Sequence, residues 1–201
     1  MGGAFWKTLV FGVVLAGSIG PIALLIFGTA ARSGFAAGFY AGLGAALADL
    51  VYALLAFSIG ALLLPLLEAH ATVIRIACAS LLIGLGVSML LRSAGGDRDA
   101  SAREPAARAL LPTFLLTLVN PMTLVVFAGF VPQLPVAGSL PTAVWLAFAL
   151  FTGSLVVQIV LAGAGKALGA ALPGPGWQQA INCAAAVGIL AFGLSGLIAA
   201  I

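Results

Sequence analysis

Between Arg108 and Lys166 the chain carries no charged side chain at all. A soluble domain averages roughly 25% charged residues, whereas this sequence of 201 residues has 6% charged and 63% hydrophobic ones. A water-facing surface cannot be built from so few charges, so the solvent implied is lipid. In lipid a chain must satisfy its backbone polar groups within itself, and runs of about 20 apolar residues do so as helices. The expected fold class is therefore an all-α integral membrane protein.

Breakers and charges divide the sequence into six spans. Span 1 lies between Lys7 and Arg32; its run from Thr8 to Ala31 is too long for a signal-peptide core and is expected to be retained as a first transmembrane helix. Span 2 runs from about Gly34 to Leu64 and is expected to end at Pro65. Span 3 lies between Arg75 and Arg92 and is short for a bilayer, so those arginines are expected to snorkel. A polar segment, SAGGDRDASAREPAAR, occupies 93–108. The uncharged run that follows is too long for one helix, and VPQLPVAGSLP (Val131 to Pro141) divides it into spans 4 and 5, the latter expected to end at Lys166. Pro173-Gly174-Pro175-Gly176 reads as a turn, and span 6 runs on from Trp177.

The basic residues set an expected orientation. Arg32, Arg92, Arg98, Arg103, Arg108 and Lys166 fall on one side, Lys7 and Arg75 on the other. The richer side is expected to be cytoplasmic, which puts loop 93–108 in the cytoplasm and both termini outside it. The net charge of +3 thus reads as membrane topology, with no nucleic-acid partner implied. Cys78 and Cys183 sit in apolar segments without metal-ligand or CxxC spacing, and His70, beside the loop residue Glu68, has no second histidine to share a metal with.

The two halves resemble each other. Gly20-Pro21 in span 1 recurs as Asn120-Pro121 in span 4, an offset of 100. Gly44 precedes Asp49 by five positions in span 2, as Gly153 precedes Gln158 in span 5, an offset of 109. Gly86-Val87-Ser88 in span 3 recurs as Gly193-Leu194-Ser195 in span 6, an offset of 107. Three spans per unit is an odd number, so the second unit must enter the membrane upside down relative to the first. The expectation is one transporter domain over 1–201, with repeat 1 at about 5–92, the polar loop at 93–108 and repeat 2 at about 109–201.

A few polar residues inside the apolar runs are candidates for chemistry. Asp49 interrupts an otherwise uncharged helix near its centre, where a carboxylate costs at least about 2.5–3.5 kcal/mol on insertion scales. Such a group persists where it faces a polar cavity, pairs with a cation or carries a proton; the bland reading is a carboxyl hydrogen-bonded between helices. Gly20-Pro21, preceded by Gly17 and Ser18, and Asn120-Pro121 are expected to break their helices in mid-membrane, because proline lacks an N–H and clashes with the carbonyl four residues back. Freed backbone groups can then ligate a substrate where they line a cavity. Asn120 and Gln158 each add an amide donor and acceptor. Ser154 and Thr152 read as packing residues or as bonded to their own backbone, and the glycines of spans 2 and 3 as close helix contacts.

With those residues in view, the run from Gly17 to Phe57, GSIGPIALLIFGTAARSGFAAGFYAGLGAALADLVYALLAF, resembles the first two helices of the LysE/RhtB amino-acid exporter family. Ser18-Ile19-Gly20-Pro21 together with Asp49 is more similar to its lysine-exporter branch than to the homoserine/threonine branch. Arg75 with Leu82 and Gly86, then Leu118-Val119-Asn120-Pro121, then Pro132-Gln133, are similar to successive family motifs. Ile19 stands where many members have proline, Leu81 where they have tyrosine, and Met122 where many have lysine.

The resemblance implies a secondary-active exporter of amino acids or related small metabolites, proton-coupled and working by alternating access, multi-pass in the bacterial inner membrane. It implies Asp49 and the two proline breaks as the residues that do the work. The alternative within the wider superfamily is a divalent metal exporter, for which a single embedded carboxylate is a meagre ligand set. A thiol–disulfide electron carrier would need Cys78 and Cys183 to meet. No enzyme activity, cofactor or resident metal is implied; the partners are a small-molecule substrate and the bilayer, and a chain of this size is compatible with a homodimer.

Overall fold

The computed structural model describes residues 2–17, 20–94, 105–120, 123, 127, 139–171 and 175–198. Seven α-helices follow one another among them: α1 (Gly2–Gly17), α2 (Pro21–Ser33), α3 (Phe35–Ala69), α4 (Ala71–Ala94), α5 (Leu110–Leu118, entered through a 3-10 turn at Ala106–Ala109), α6 (Leu140–Ala171) and α7 (Pro175–Ile198). The all-helical expectation holds, and the described residues contain no strand. Residues 18–19, 95–104, 121–122 and 131–138 lie outside them, and with them Ser18, Pro121, most of the polar loop and most of the divider between spans 4 and 5.

Several helix ends differ from the sequence expectation. Pro65 does not end its helix, which continues to Ala69, and α6 continues past Lys166 to Ala171. An internal proline costs a single ladder bond and some strain, which membrane helices tolerate. A lysine near a helix end can carry its ammonium outward along its own stem. Pro175 is not part of a turn but the first residue of α7, where its missing N–H is no loss. Gly34 alone joins α2 to α3: at φ +86°, open to glycine but strained for other residues, it returns its N–H to the Ala30 carbonyl at 3.0 Å.

Two helices are individually long and apolar enough to cross a bilayer. They are Phe35–Ser58 within α3, of mean hydropathy 1.7, and α6, of mean hydropathy 2.2. The pair α1 and α2, bent by 72° at its break, makes a third. The other apolar stretches, Ala79–Leu91, Ala106–Leu118 and Cys183–Ile198, are shorter. Large apolar side chains face outward: Val10, Val14, Phe148, Val160 and Leu194 are all more than half exposed. Small residues make up much of the interior, with Ala41, Ala45, Ala46, Ala48 and Ala53 buried along α3, beside larger ones such as Phe11, Ile26 and Leu150. That composition suits lipid, where close backbone approach through small residues drives helix association.

The contacts fix how the helices run. Gly38 lies against Ala162 and Gly42 against Gln158, where an added Cβ would sit 2.7 Å from the glutamine Cβ, so α3 and α6 are antiparallel. Gly86 lies against Ala186 and Leu190, and Gly193 against Ala79 and Ile83, so α4 and α7 are antiparallel too. Phe5 stacks on Trp145 at one end of α1, and Phe27 and Ala31 of α2 meet Gly165 and Gly169, so α1 and α2 run parallel to α6. Likewise Leu110 meets Gly44 and Leu118 meets Tyr52, so α5 runs parallel to α3.

Two of these contacts mirror each other. A Cβ on Gly44 would lie 3.0 Å from the Phe114 backbone nitrogen and against the Leu110 carbonyl; one on Gly153 would lie 3.0 Å from the Val13 nitrogen and against the Leu9 carbonyl. Each glycine belongs to one half of the sequence and receives the first helix of the other. The side chain of Cys78 lies outside the described residues, and with it the question of a Cys78–Cys183 pair.

Because the neighbours of Gly44 and Gly153 are backbone atoms that cannot step aside, Gly44→Leu and Gly153→Leu are each expected to lower stability by about 1–3 kcal/mol. Thermal unfolding of the purified protein in detergent measures this, with the exposed Val160→Leu as the neutral control.

Candidate functional site

Both proline breaks follow from local backbone chemistry. Pro21 cannot donate to the Gly17 carbonyl, and its ring disfavours a helical residue before it. Gly20 accordingly takes an extended conformation (φ −124°, ψ −177°). The chain then restarts at once as α2, with Pro21 in the first position and Leu24 N–H to Gly20 O at 3.2 Å as the first ladder bond. In the other half, Asn120 precedes a proline and α5 stops at Leu118. The Asn120 N–H turns back to the Thr117 carbonyl at 3.2 Å, and the Tyr52 hydroxyl of α3 donates to the Leu118 carbonyl.

These ends converge on one cavity of about 50 Å³, on a scale where a single water needs about 10–15 Å³. Leu15 and Ala16 at the end of α1 line it, with Gly20, Ile22 and Ala23 at the start of α2. From α3 come Ala45 and Asp49, from α5 Thr117 and Asn120, and from α6 Gln158; Thr123 completes it. A helix C-terminus offers carbonyls without intrahelical donors, and an N-terminus offers N–H groups without acceptors. The cavity therefore meets both kinds of unsatisfied backbone, plus one carboxyl and two side-chain amides. Among the described residues its lining holds no lysine, arginine or histidine.

Of the residues singled out in the sequence, Gly20, Asp49, Asn120 and Gln158 line this one cavity. Pro21 is fully buried beside it, and Ser18 and Pro121 lie outside the described residues. Asp49 is 4% exposed, and its Oδ2 accepts a hydrogen bond from the Ser154 hydroxyl of α6 at 2.6 Å. Ser154 is thus a partner of the acid, not the packing or self-bonded residue expected from sequence, while Thr152 does bond its own helix at Phe148 O. Gln158, 5% exposed, stands one turn after Ser154 on the same face, and its carbonyl Oε1 has no hydrogen-bond partner among the described residues.

Ser154, Thr117 and Thr123 are the residues that sequence reasoning passed over. The available signal was spacing: Ser154 lies four residues before Gln158, and Thr117 three before Asn120, separations that share a helix face. The Thr117 hydroxyl donates to Thr113 O at 2.8 Å, which leaves its oxygen as an acceptor toward the cavity. Among the described residues no group of three or more His, Cys, Asp or Glu side chains comes together.

Removing the Ser154 hydroxyl leaves a buried carboxyl oxygen without its donor, at a cost of about 1–3 kcal/mol. Ser154→Ala is therefore expected to unfold at lower temperature than the parent, and the double variant Ser154→Ala/Asp49→Asn to lose less than the two single losses added together. A thermal double-mutant cycle measures the coupling.

Among comparisons with known proteins, the family model described as LysE type translocator matches residues 13–199. No curated protein and no solved structure matches. The family is one of membrane transporters, which agrees with the apolar helices and a multi-pass membrane location. With nearly its whole length matched and the proline breaks, the buried acid and the paired amide gathered at one cavity, this chain belongs to the LysE type translocator family.

Proposed function

We propose that the protein is a secondary-active exporter of amino acids or related small metabolites, coupled to protons through Asp49. The observation that carries this reading is the cavity itself. A lone buried carboxyl faces the ends of two broken helices, in the interior of a chain whose family transports solutes. An acid in that position can alternate between holding a proton and receiving a cationic group from the substrate, which is what exchange of one for the other requires. Helix ends supply the complementary backbone groups, as they do in other carriers with discontinuous helices.

Alternating access would come from two upside-down units, at about 5–92 and 109–201, rocking about the cavity. Support comes from the helix directions. In the first unit α1 and α3 run in opposite directions, and in the second α5 and α6 do, with α5 opposite in sense to α1 and α6 to α3, while α4 and α7 are antiparallel to each other. A six-span chain follows if α4, the segment begun by α5, and α7 also cross. The basic residues then favour a cytoplasmic 93–108 loop and extracytoplasmic termini, in a bacterial inner membrane. The motif likeness to the lysine-exporter branch bears on ancestry, and a homodimer is compatible with so small a carrier.

In proteoliposomes, Asp49→Asn is expected to retain exchange of labelled for unlabelled amino acid but to lose at least about tenfold in proton-driven accumulation, the loss that about 1.4 kcal/mol of coupling represents. Normal uphill transport by this variant would remove Asp49 from the coupling step.

A further inference from the structure

Gln158 presents a feature that proton coupling leaves unused. Its side chain is 95% buried, it lines the cavity, and its Oε1 has no partner among the described residues. A buried acceptor left unpaired is costly, and a native structure retains one where something else donates to it. Gly42 makes room for this side chain: an added Cβ there would meet the Gln158 Cβ at 2.7 Å, so the amide is seated directly on the α3 backbone. Ser154, one turn away on the same face of α6, already occupies one oxygen of Asp49. The seam of α3 and α6 therefore offers the cavity a carboxyl held in place and an acceptor waiting for a donor.

Across the cavity stands the N-terminus of α2. Its cap is Gly20, which has no side chain to bond the first N–H groups, and Ile22 and Ala23 line the cavity. Such a terminus attracts a carboxylate. The rest of the lining joins the apolar Leu15, Ala16 and Ala45 to the uncharged polar Thr117, Asn120 and Thr123, within a volume equivalent to a few waters.

We propose that Gln158 is the charge-selecting residue of the cavity: its Oε1 and the Asp49 carboxyl together receive the ammonium group of a small neutral α-amino acid, whose carboxylate rests on the N-terminus of α2. This rests on the transport reading above and narrows it. A substrate with an acidic side chain finds no cation among the described lining residues to neutralise it. One with a basic side chain brings a second ammonium to a cavity whose lone carboxyl is already committed, and more length than the volume admits. The neutral amide is what tunes the site, because a second carboxylate at that place would favour a second positive charge.

The test uses the full-length protein in detergent and in proteoliposomes, with glycine, L-alanine, L-serine, N-acetyl-L-alanine, propionate, L-lysine and L-glutamate as probes. Binding is read by calorimetry and thermal shift, and exchange by labelled counterflow. The three small neutral amino acids are expected to bind at least tenfold more tightly than lysine or glutamate, and neither N-acetyl-L-alanine nor propionate, which lack the ammonium group, to bind measurably. Gln158→Met, which keeps the volume without the carbonyl, is expected to weaken L-alanine binding at least tenfold. Gln158→Glu is expected to shift the preference toward lysine at least tenfold, a gain that a merely structural role for the residue would not produce.

Preference of the parent protein for lysine or glutamate, or unchanged binding and selectivity in folded Gln158→Met and Gln158→Glu, would overturn the assignment of Gln158 while leaving amino-acid export standing. Failure of the parent to bind or exchange any of the amino acids would overturn both the assignment and the export reading.

Discussion

Backbone that leaves a helix inside a bilayer cannot face lipid, because its exposed N–H and C=O groups would have no partner there. The rest of this structure depends on that constraint. Pro21 and the Asn120-Pro121 pair end helices within the apolar part of the chain, and each end brings polar groups that only the protein interior can accommodate. The two breaks are consequently packed toward each other, between α3 and α6, and the space they share is where the buried acid and amides are found. A carboxyl such as Asp49 is tolerable for the same reason: it stands among helix ends and hydroxyls, with the Ser154 oxygen 2.6 Å away, instead of among lipid tails.

Packing follows from the same requirement. With lipid as apolar as leucine, helices gain little by burying large side chains against one another, and they gain by approaching closely. Valines such as Val10 and Val160 and the tryptophans Trp6 and Trp145 point outward, and alanines and glycines make the close helix contacts around a few large buried side chains such as Phe11, Ile26 and Leu150. Gly44 and Gly153 let each long helix accept the first helix of the opposite half, and Gly42 lets α3 carry the Gln158 side chain. The glycines that read in the sequence as nonspecific packing residues are thus the means by which the two halves interlock around the cavity. The two glycine contacts match, and the polar cavity lies among the same helices.

The two halves of the sequence bring different groups to the cavity. Asp49 and Gln158 stand 109 residues apart in the sequence, as do Ala45 and Ser154. The first half contributes the ionisable group and the second contributes the hydroxyl that fixes it and the amide that stands open. A second carboxyl beside Asp49 would repel it in a site of low dielectric, and a neutral amide does not.

The sequence alone determined the solvent, the helical class, the places of the two breaks and the embedded acid, because each of these rests on a residue type acting locally. Too few charges require lipid, a proline interrupts its own ladder, and a carboxylate in an apolar run is conspicuous wherever that run goes. It also paired Asp49 with Gln158 through the internal likeness of the halves. What it could not determine was which face meets which neighbour. Helices apolar all round carry no stripe that marks an inward side, so Ser154 looked like any small packing residue, and Pro65 and Lys166 looked like ends although their helices continue. Only the tertiary structure set Ser154 against Asp49, gathered both breaks around one cavity and buried the Gln158 carbonyl with no donor among the described residues. Those are distances between helices, and they are settled by close backbone contact at glycines whose partners lie as much as 144 residues away in the chain.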